Sequence, residues 1–330
     1  WPHRWAVLLL AAAAWCGQPL AQTSNDVVPG AQARQWLVRM HQAATQRNYQ
    51  GTLVVSAGGA MSSSRVVHFC EGTQSYERVD LLDGQPRRVL RHNDQLLTLW
   101  PLAKVARLEE REAIAPFPAL PTSGGDQIFE HYDMVAEGAG RVAGHEAAVF
   151  LMRPRDGARF AQRLWAEQGS GLLLRADVVA PDGRVLETSA FSDLAIGSKS
   201  RVDAVQAALK QLEGWRVVRF KPLRTTLDAE GWQLKAPAPG FRQTSCVKRQ
   251  LADDERAANA QVVQAIYSDG LTHVSLFIEP YRPERHRPGG AVVGATHTWM
   301  QAHGEHWITA MGDVPQATLK LWVQQLERRR

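Results

Sequence analysis

The sequence has only one long apolar run and only three cysteines among its 330 residues. The apolar run, Trp5–Cys16, is too short to span a bilayer, and none of comparable length follows it. This absence argues against a protein that crosses a membrane several times. Because His3 and Arg4 precede the run and small residues lead to Ala21, we expect residues 1–21 to be a secretory signal peptide and the mature chain to be soluble and exported. The alternative is an uncleaved anchor.

Because cysteine is scarce, only one disulfide is possible in the mature chain. Removal of the signal peptide leaves Cys70 and Cys246. An even number of cysteines in an oxidising compartment allows one disulfide. Closing so large a loop would stabilise the chain by up to ~5 kcal/mol in the entropic description. Two separately buried thiols fit the sequence equally well, so Cys70 and Cys246 are only candidate partners for a disulfide.

Neither sign of charge dominates, since 38 Lys and Arg stand against 33 Asp and Glu, for a net charge of +5. In an exported protein, such mild basicity favours anionic partners, for example lipid head groups or an acidic peptide. The sequence has no arginine-rich helix and no basic-aromatic RNA motif. Nucleic acid is therefore a poor candidate partner.

Motifs that organise catalysis are also absent. No G-x-S-x-G motif occurs, and the glycines at Gly169 and Gly171 open a strand pattern rather than a phosphate-binding helix. Ser268, Asp269 and His273 are the residue types of a hydrolytic triad, but a triad needs a nucleophile on a rigid elbow and an oxyanion hole. Asp269 precedes a glycine between two apolar runs, which is typical of a tight type I′ hairpin turn. We interpret the segment as a turn and predict no enzyme and no cofactor.

A metal site is the remaining chemical candidate. His297, His303 and His306, with Glu305, surround one predicted hairpin near the end of the chain. Three histidines could bind zinc, but no cysteine or helical His-x-x-x-His accompanies them. We interpret them as exposed polar residues on a strand and predict no metal.

The first long region, residues 27–200, combines one helix with a meander of strands. Apolar residues at helical spacing in 31–47 predict an amphipathic helix. After it the apolar pattern alternates, and turn signals recur at Asp83-Gly84, Asn93-Asp94 and Asp182-Gly183. This spacing predicts a large antiparallel sheet, whose apolar concave face must be covered or filled.

A second, smaller region is predicted at residues 230–326, after a connector at 201–229. Strand patterns there are followed by a closing helix, with Pro315 at its first position and an apolar stripe formed by Leu319, Trp322, Val323 and Leu326. The predicted fold class is therefore α+β, with two β-rich domains and no assembled catalytic set. A half-open sheet with an apolar concave face can bind an acyl chain or a peptide.

Four stretches resemble the RseB/MucB family of periplasmic regulators of the envelope-stress sigma factor (sigma-E, or AlgU). They are "YERVDLLDGQPRRVLRHND", "RLWAEQGSGLLLRADVVAPDGRVLE", "YSDGLTHVSLFIEP" and "GATHTWMQAHGEHWITAMGDVPQATLK". The resemblance extends over nearly all of the mature chain in order and spacing. It implies an unclosed barrel like those of the lipoprotein carriers LolA and LolB, joined to a smaller C-terminal domain.

The resemblance also implies a function. Members of the family bind the periplasmic part of an inner-membrane anti-sigma factor, RseA or MucA, and shield it from site-one proteolysis. Lipopolysaccharide or mislocalised lipoprotein is thought to release it. The chain would then be periplasmic, with an acyl-chain or lipopolysaccharide ligand and self-association both compatible with the family. The alternative is a periplasmic lipid or lipoprotein carrier that uses the same sheet.

Overall fold

The computed structural model describes residues 26–110, 125–198, 212–220, 222–250 and 261–329. The predicted signal peptide at 1–21 lies outside these residues. None of the described helices combines the length and the apolar character that a bilayer crossing requires.

A large sheet of twelve strands dominates the first region in the described part of the chain. Its strands are β1 Tyr49–Ala57, β2 Ala60–Glu71, β3 Gln74–Leu81, β4 Arg88–His92, β5 Gln95–Trp100, β6 Val105–Glu110, β7 Tyr132–Val142, β8 His145–Pro154, β9 Ala161–Glu167, β10 Leu173–Val179, β11 Val185–Ile196 and β12 Arg216–Phe220. Their spatial order is β12-β6-β5-β4-β3-β2-β1-β11-β10-β9-β8-β7. The predicted turns at Asp83, Asn93 and Asp182 each lie between consecutive strands and are confirmed.

This sheet curls without closing into a barrel. Nε2 of His145, on β8, lies 3.0 Å from the carbonyl oxygen of Leu194 on β11, although β9 and β10 separate these strands in the sheet. The curled surface encloses helix α1, Gly30–Gln46, which agrees with the predicted helix at 31–47 to within a residue at each end. We call the face of the sheet that carries α1 the inner face.

Helix α1 forms because its apolar residues recur every three or four positions. Leu37 and Met40 are buried against side chains of β7 to β10, together with Ile128 of a second helix, α2 Gly125–His131. Ala43 is buried against the inner face near Tyr49. The helix therefore fills the half of the inner face formed by β7 to β11.

The smaller domain contains a sheet of seven strands, again in the described residues. They are β13 Leu223–Arg224, β15 Arg242–Gln250, β16 Gln261–Ser268, β17 His273–Pro280, β18 Gly289–Val293, β19 Thr296–His303 and β20 His306–Gly312, in the order β13-β15-β16-β17-β20-β19-β18. A separate pair joins β14 Trp232–Leu234 to β21 Leu326–Arg328. Helix α3, Gln316–Gln325, packs on the sheet with Leu319, Trp322 and Val323 fully buried, and Pro315 is its N-cap rather than its first helical residue. Leu326, predicted as the last residue of the stripe, is also buried but begins strand β21.

The predicted connector, 201–229, contributes to both sheets. Its strand β12 pairs with β6 in parallel, the one parallel pair of the otherwise antiparallel large sheet in the described residues. Its strand β13 pairs with β15 of the small sheet. The α+β class, with a large unclosed sheet followed by a smaller domain, is confirmed. The boundaries 27–200 and 230–326 stay predictions.

Helix α1 should be essential to the stability of the large domain. We expect Met40→Ala, at a fully buried side chain, to lower the free energy of unfolding by about 2–5 kcal/mol, because it leaves a cavity in the core. Val38→Ala, on the exposed side of the same helix, is the matched control and should change it by less than about 0.5 kcal/mol. Urea unfolding followed by tryptophan fluorescence measures both, and equal losses would contradict the buried position of Met40.

Candidate functional site

The segment that contains Ser268, Asp269 and His273 is a loop between two strands, as predicted, and not a catalytic triad. The hydroxyl of Ser268 donates to the carbonyl of Thr272 at 2.8 Å and accepts from the Gly270 amide at 3.0 Å. Oδ1 of Asp269 accepts the amides of Leu271 and Thr272, each at 2.9 Å. The ordinary task of Ser and Asp in a turn, bonding to the backbone, is confirmed.

The predicted type I′ turn is wrong. Strand β16 ends at Ser268 and β17 begins at His273, so the loop is Asp269–Thr272. A type I′ turn needs positive φ at both central residues, and here Gly270 has φ of 98° while Asp269 is not in that region. The carboxylate of Asp269 holds the wider loop by accepting two amides. We call residues 269–272 the plug loop.

The second carboxylate oxygen of Asp269 accepts hydrogen bonds from two residues of the large domain. It accepts hydrogen bonds from the Tyr132 hydroxyl and from Nη1 of Arg159, both at 2.9 Å. The side chains of Arg159 and Asp269 are both 0% exposed. Burial, followed by the charge of Asp269, raises the pKa of Tyr132 well above its usual value, which keeps its hydroxyl protonated as a donor. This group joins the two domains, and we call it the Arg159 latch.

Arg159 is held from every side. Its Nη2 donates to the carbonyl of Pro239 in the small domain, and its Nε donates to Asp156 at 3.2 Å. The centre of its guanidinium lies 5.5 Å from the Tyr132 ring and 5.1 Å from the Phe241 ring, within the range of cation–π attraction. A buried charge with this many partners fixes geometry, because any displacement leaves donors unsatisfied.

The plug loop also supplies an apolar side chain to the large domain. Leu271 is buried in the cluster that contains Leu37, Met40 and Phe150. Its carbonyl accepts a hydrogen bond from Nε2 of Gln162 at 3.2 Å. The core of the large domain is thus completed by a residue of the small domain.

A second interdomain contact lies at the tips of two hairpins, β1–β2 and β18–β19. Gly58 and Gly294 meet there with φ of 57° and 59°. A Cβ added to Gly294 would lie 2.6 Å from Cβ of Ala57, and one added to Gly58 would lie 3.0 Å from the Gly294 amide nitrogen. Both the backbone conformation and the close approach therefore require glycine at these two positions.

Two carboxylates of like charge face each other at this second contact. Glu187, on β11, accepts the backbone amide of Ala295, and Asp313 follows β20 of the small domain. Burial first, and then the charge of Asp313, raise the pKa of Glu187. Asp313 accepts the hydroxyl of Thr296 at 2.7 Å. The hairpin contact is therefore destabilised when both carboxylates are ionised, in contrast to the Arg159 latch.

The inner face of β1 to β6 carries apolar side chains that α1 does not cover completely. Leu53, Val79, Leu81, Val89 and Trp100 are half-buried there. Beside them Arg91 pairs with Glu77 at 3.2 Å, and the two side chains are 12% and 21% exposed. A half-buried apolar surface with one ion pair can accept apolar side chains or an acyl chain. This is the apolar concave face that the sequence predicts.

The two cysteines are free thiols in different domains. Cys70, on β2, donates its thiol to the carbonyl of Thr45 at 2.8 Å, whereas Cys246 is buried in the core of the small domain. Burial, and then Glu230, raise the pKa of Cys246 to about 11. Cys70 is half-buried and Cys246 is buried, and their pairing in a disulfide stays a prediction. A raised pKa disfavours the thiolate that disulfide exchange requires.

The three histidines of the last hairpin lie beside aromatic rings. His303 and His306 meet the Trp232 ring edge-on at 5.5 and 5.1 Å, and His297 meets Phe160 of the large domain at 5.3 Å. They are half-buried rather than exposed as predicted. No cluster of three or more metal-ligating residues occurs in the described part of the chain.

The fold and the site define a two-domain protein whose half-open sheet and interdomain junction are built for binding. Residues 32–211 match the MucB/RseB N-terminal domain, and residues 226–327 match the MucB/RseB C-terminal domain. The chain belongs to the MucB/RseB family.

Bacterial relatives match along most of their length. The sigma-E factor regulatory protein RseB of Haemophilus influenzae is 25% identical over 90% of this chain and 91% of its own. The sigma factor AlgU regulatory protein MucB of Pseudomonas aeruginosa is 28% identical over 87% and 88%. The crystal structure of MucB in complex with MucA(peri) superposes with a TM-score of 0.69 at 25% identity, covering 90% of this chain and 99% of that one. The structure of Pseudomonas aeruginosa MucA/MucB gives 0.70 at 26% identity, over 91% and 99%.

Loss of charge at the Arg159 latch should destabilise the protein. We expect Asp269→Asn to lower the free energy of unfolding by about 3 kcal/mol, because Arg159 then loses its buried counter-charge and keeps only Asp156, whose side chain is 32% exposed. Asp182→Asn is the matched control, since Asp182 also precedes a glycine in a turn but pairs with Arg184 at 61% and 70% exposure. Exposed pairs contribute only about 0–1 kcal/mol. Urea titration measures the free energy of unfolding of both variants. Similar decreases for the two would refute a special role for the latch.

The hairpin contact should weaken as pH rises. An acid whose pKa is raised by folding contributes stability below its ordinary pKa, about 4.3 for Glu, and loses it as pH rises through the raised value. Glu187→Gln removes this loss. The unfolding midpoint of E187Q relative to the wild type should therefore increase as pH rises from about 4 through the raised pKa of Glu187. Glu146→Gln, at a carboxylate whose side chain is 65% exposed, is the control. A pH-independent difference for E187Q would contradict the assignment.

Proposed function

We propose that this chain regulates an envelope-stress sigma factor by binding the periplasmic part of an anti-sigma factor of the RseA/MucA type. The observation that carries the proposal is the correspondence with MucB from its complex with MucA(peri), which extends over 90% of this chain. The match covers 99% of the MucB chain and includes both domains.

The proposal places the protein in the periplasm, where it shields the bound anti-sigma factor from site-one proteolysis. Shielding of this kind requires a binding surface and no reaction centre. Two features of the described residues support a binding role: Ser268 uses its hydroxyl on the backbone of its own loop, and the inner face keeps apolar side chains half-exposed.

Release of the anti-sigma factor is proposed to follow a change in the arrangement of the domains. The anti-sigma segment binds the latched arrangement, and an amphiphile that fills the inner face favours another. Leu271 supports this coupling, because it occupies part of the inner face and belongs to the small domain. Two ligands that prefer different arrangements compete even when their sites differ.

Binding and its release can be measured with the purified mature chain and the labelled periplasmic domain of the anti-sigma factor from the same organism. Fluorescence anisotropy should show saturable binding, and lipopolysaccharide should weaken it by about 5- to 150-fold, the usual range of coupling between sites. Absence of binding would sink the proposed function. Binding that lipopolysaccharide leaves unchanged would sink only the proposed release.

The alternative, a lipid or lipoprotein carrier, is favoured by the same half-exposed apolar residues of the inner face, among them Leu53 and Val79. Native mass spectrometry separates the two functions. Stoichiometric lipid together with no affinity for the anti-sigma domain would identify a carrier.

A further inference from the structure

Two exposed apolar side chains lie on the hairpin of the small domain whose tip meets the large domain. Val292 and Val293, on β18, are 56% and 63% exposed. Val293 belongs to the contact with the β1–β2 tip, because its Cγ1 lies 3.6 Å from the position of a Cβ on Gly58. We call Val292 and Val293 the hairpin patch.

Strand β18, which carries the patch, is the edge of the small sheet. Its pairing with β19 closes through the two-residue turn at Gly294 and Ala295, so the pair Val293–Thr296 is hydrogen-bonded and the pair Val292–His297 is not. The backbone N–H and C=O groups of Val292 and Gly290 therefore point away from β19. Within the described residues no strand pairs with that side of β18.

This edge strand is short but carries neither charge nor proline. Natural edge strands carry charges, proline or a bulge that prevents pairing with another chain. The sequence of β18 is Gly-Gly-Ala-Val-Val, with no charge and no proline. By contrast, part of the edge strand β7 is covered, because the Val28 amide donates to the Met134 carbonyl at 2.8 Å and the Ala136 amide donates to the Asp26 carbonyl at 3.1 Å.

The approach to β18 is basic. Arg285 and Arg287 are exposed in the segment immediately before the strand, with Glu284 as the only exposed acidic residue of that segment. An extended peptide that pairs with β18 would therefore gain from acidic residues at the end that lies near these arginines.

We propose that the open edge of β18 and the hairpin patch form a docking surface for an extended polypeptide segment, which adds a strand to the small sheet. The segment has apolar residues at its centre and acidic residues at the end near Arg285. The inference rests on the proposed function, since the segment belongs to the anti-sigma factor. Because Val293 lies against the β1–β2 tip, the segment binds beside the contact between the two hairpins.

Amide exchange tests the added strand directly, by NMR of the full mature chain with and without the anti-sigma periplasmic domain. Exchange at Val292 and Gly290 should slow by at least about tenfold in the complex, because their amides gain acceptors. Ala291 is the internal control, since its amide already faces β19. Unchanged exchange at Val292 in a complex that does form would overturn the inference.

A variant pair provides the second test. Val292→Pro removes the N–H that points away from β19. Val292→Ala keeps this N–H and only shortens the side chain, so it is the control. We expect V292P to bind the anti-sigma domain roughly tenfold more weakly than V292A, because proline loses one backbone hydrogen bond to the added strand. Equal affinities of the two variants would contradict strand addition, and the exchange experiment decides if V292P fails to fold.

The outcomes separate this inference from the proposed function. A wild-type chain that does not bind the anti-sigma domain refutes the proposed function. Binding without protection of Val292 refutes the docking surface alone. Protection of Val292 that depends on the concentration of this chain alone would show that the edge pairs with a second copy, which also overturns the proposal.

Discussion

The buried pairing of Arg159 with Asp269 determines how the two domains lie against each other. Desolvating two charges costs several kcal/mol per ion, and only good geometry with further hydrogen bonds compensates for that cost. Here the compensation comes from both domains, since Tyr132 and Asp156 belong to the large domain and Pro239 to the small one. Any other arrangement would expose or orphan these groups. The latch therefore specifies one orientation more than it adds net stability.

The second contact has the opposite character. At the hairpin tips two glycines allow a close approach, while Glu187 and Asp313 repel each other when ionised. Loss of this contact would leave the latch intact and would separate Val293 from the β1–β2 tip. The junction thus has one strongly specified point and one weak point. Such a combination suits a protein that must hold a partner and let it go, because a modest free energy at the weak point changes the shape of the surface.

The sequence pattern predicted the helices, strands and turns, because these depend on residues close together in the chain. Helix α1, the meander and the closing helix follow from the spacing of apolar residues and from turn residues, and they lie where the sequence indicates. The role of Asp269 in its loop was predicted, but its bond to Arg159 was not, because the two are separated by 110 positions and nothing near either marks the other. The parallel pairing of β12 with β6 is equally non-local. The half-buried state of His303 and His306 depends on Trp232, a tertiary contact that strand alternation does not encode.

The insertion of Leu271 into the large domain has a consequence for limited cleavage of the chain. A nick between β12 and β13 would sever the covalent link, yet the plug loop would still be seated among Leu37, Met40 and Phe150. The two fragments would therefore remain bound to each other after cleavage. Each fragment produced alone would expose the apolar residues that are buried at the junction. Contacts of the plug loop, in addition to the covalent connection, therefore hold the two domains together.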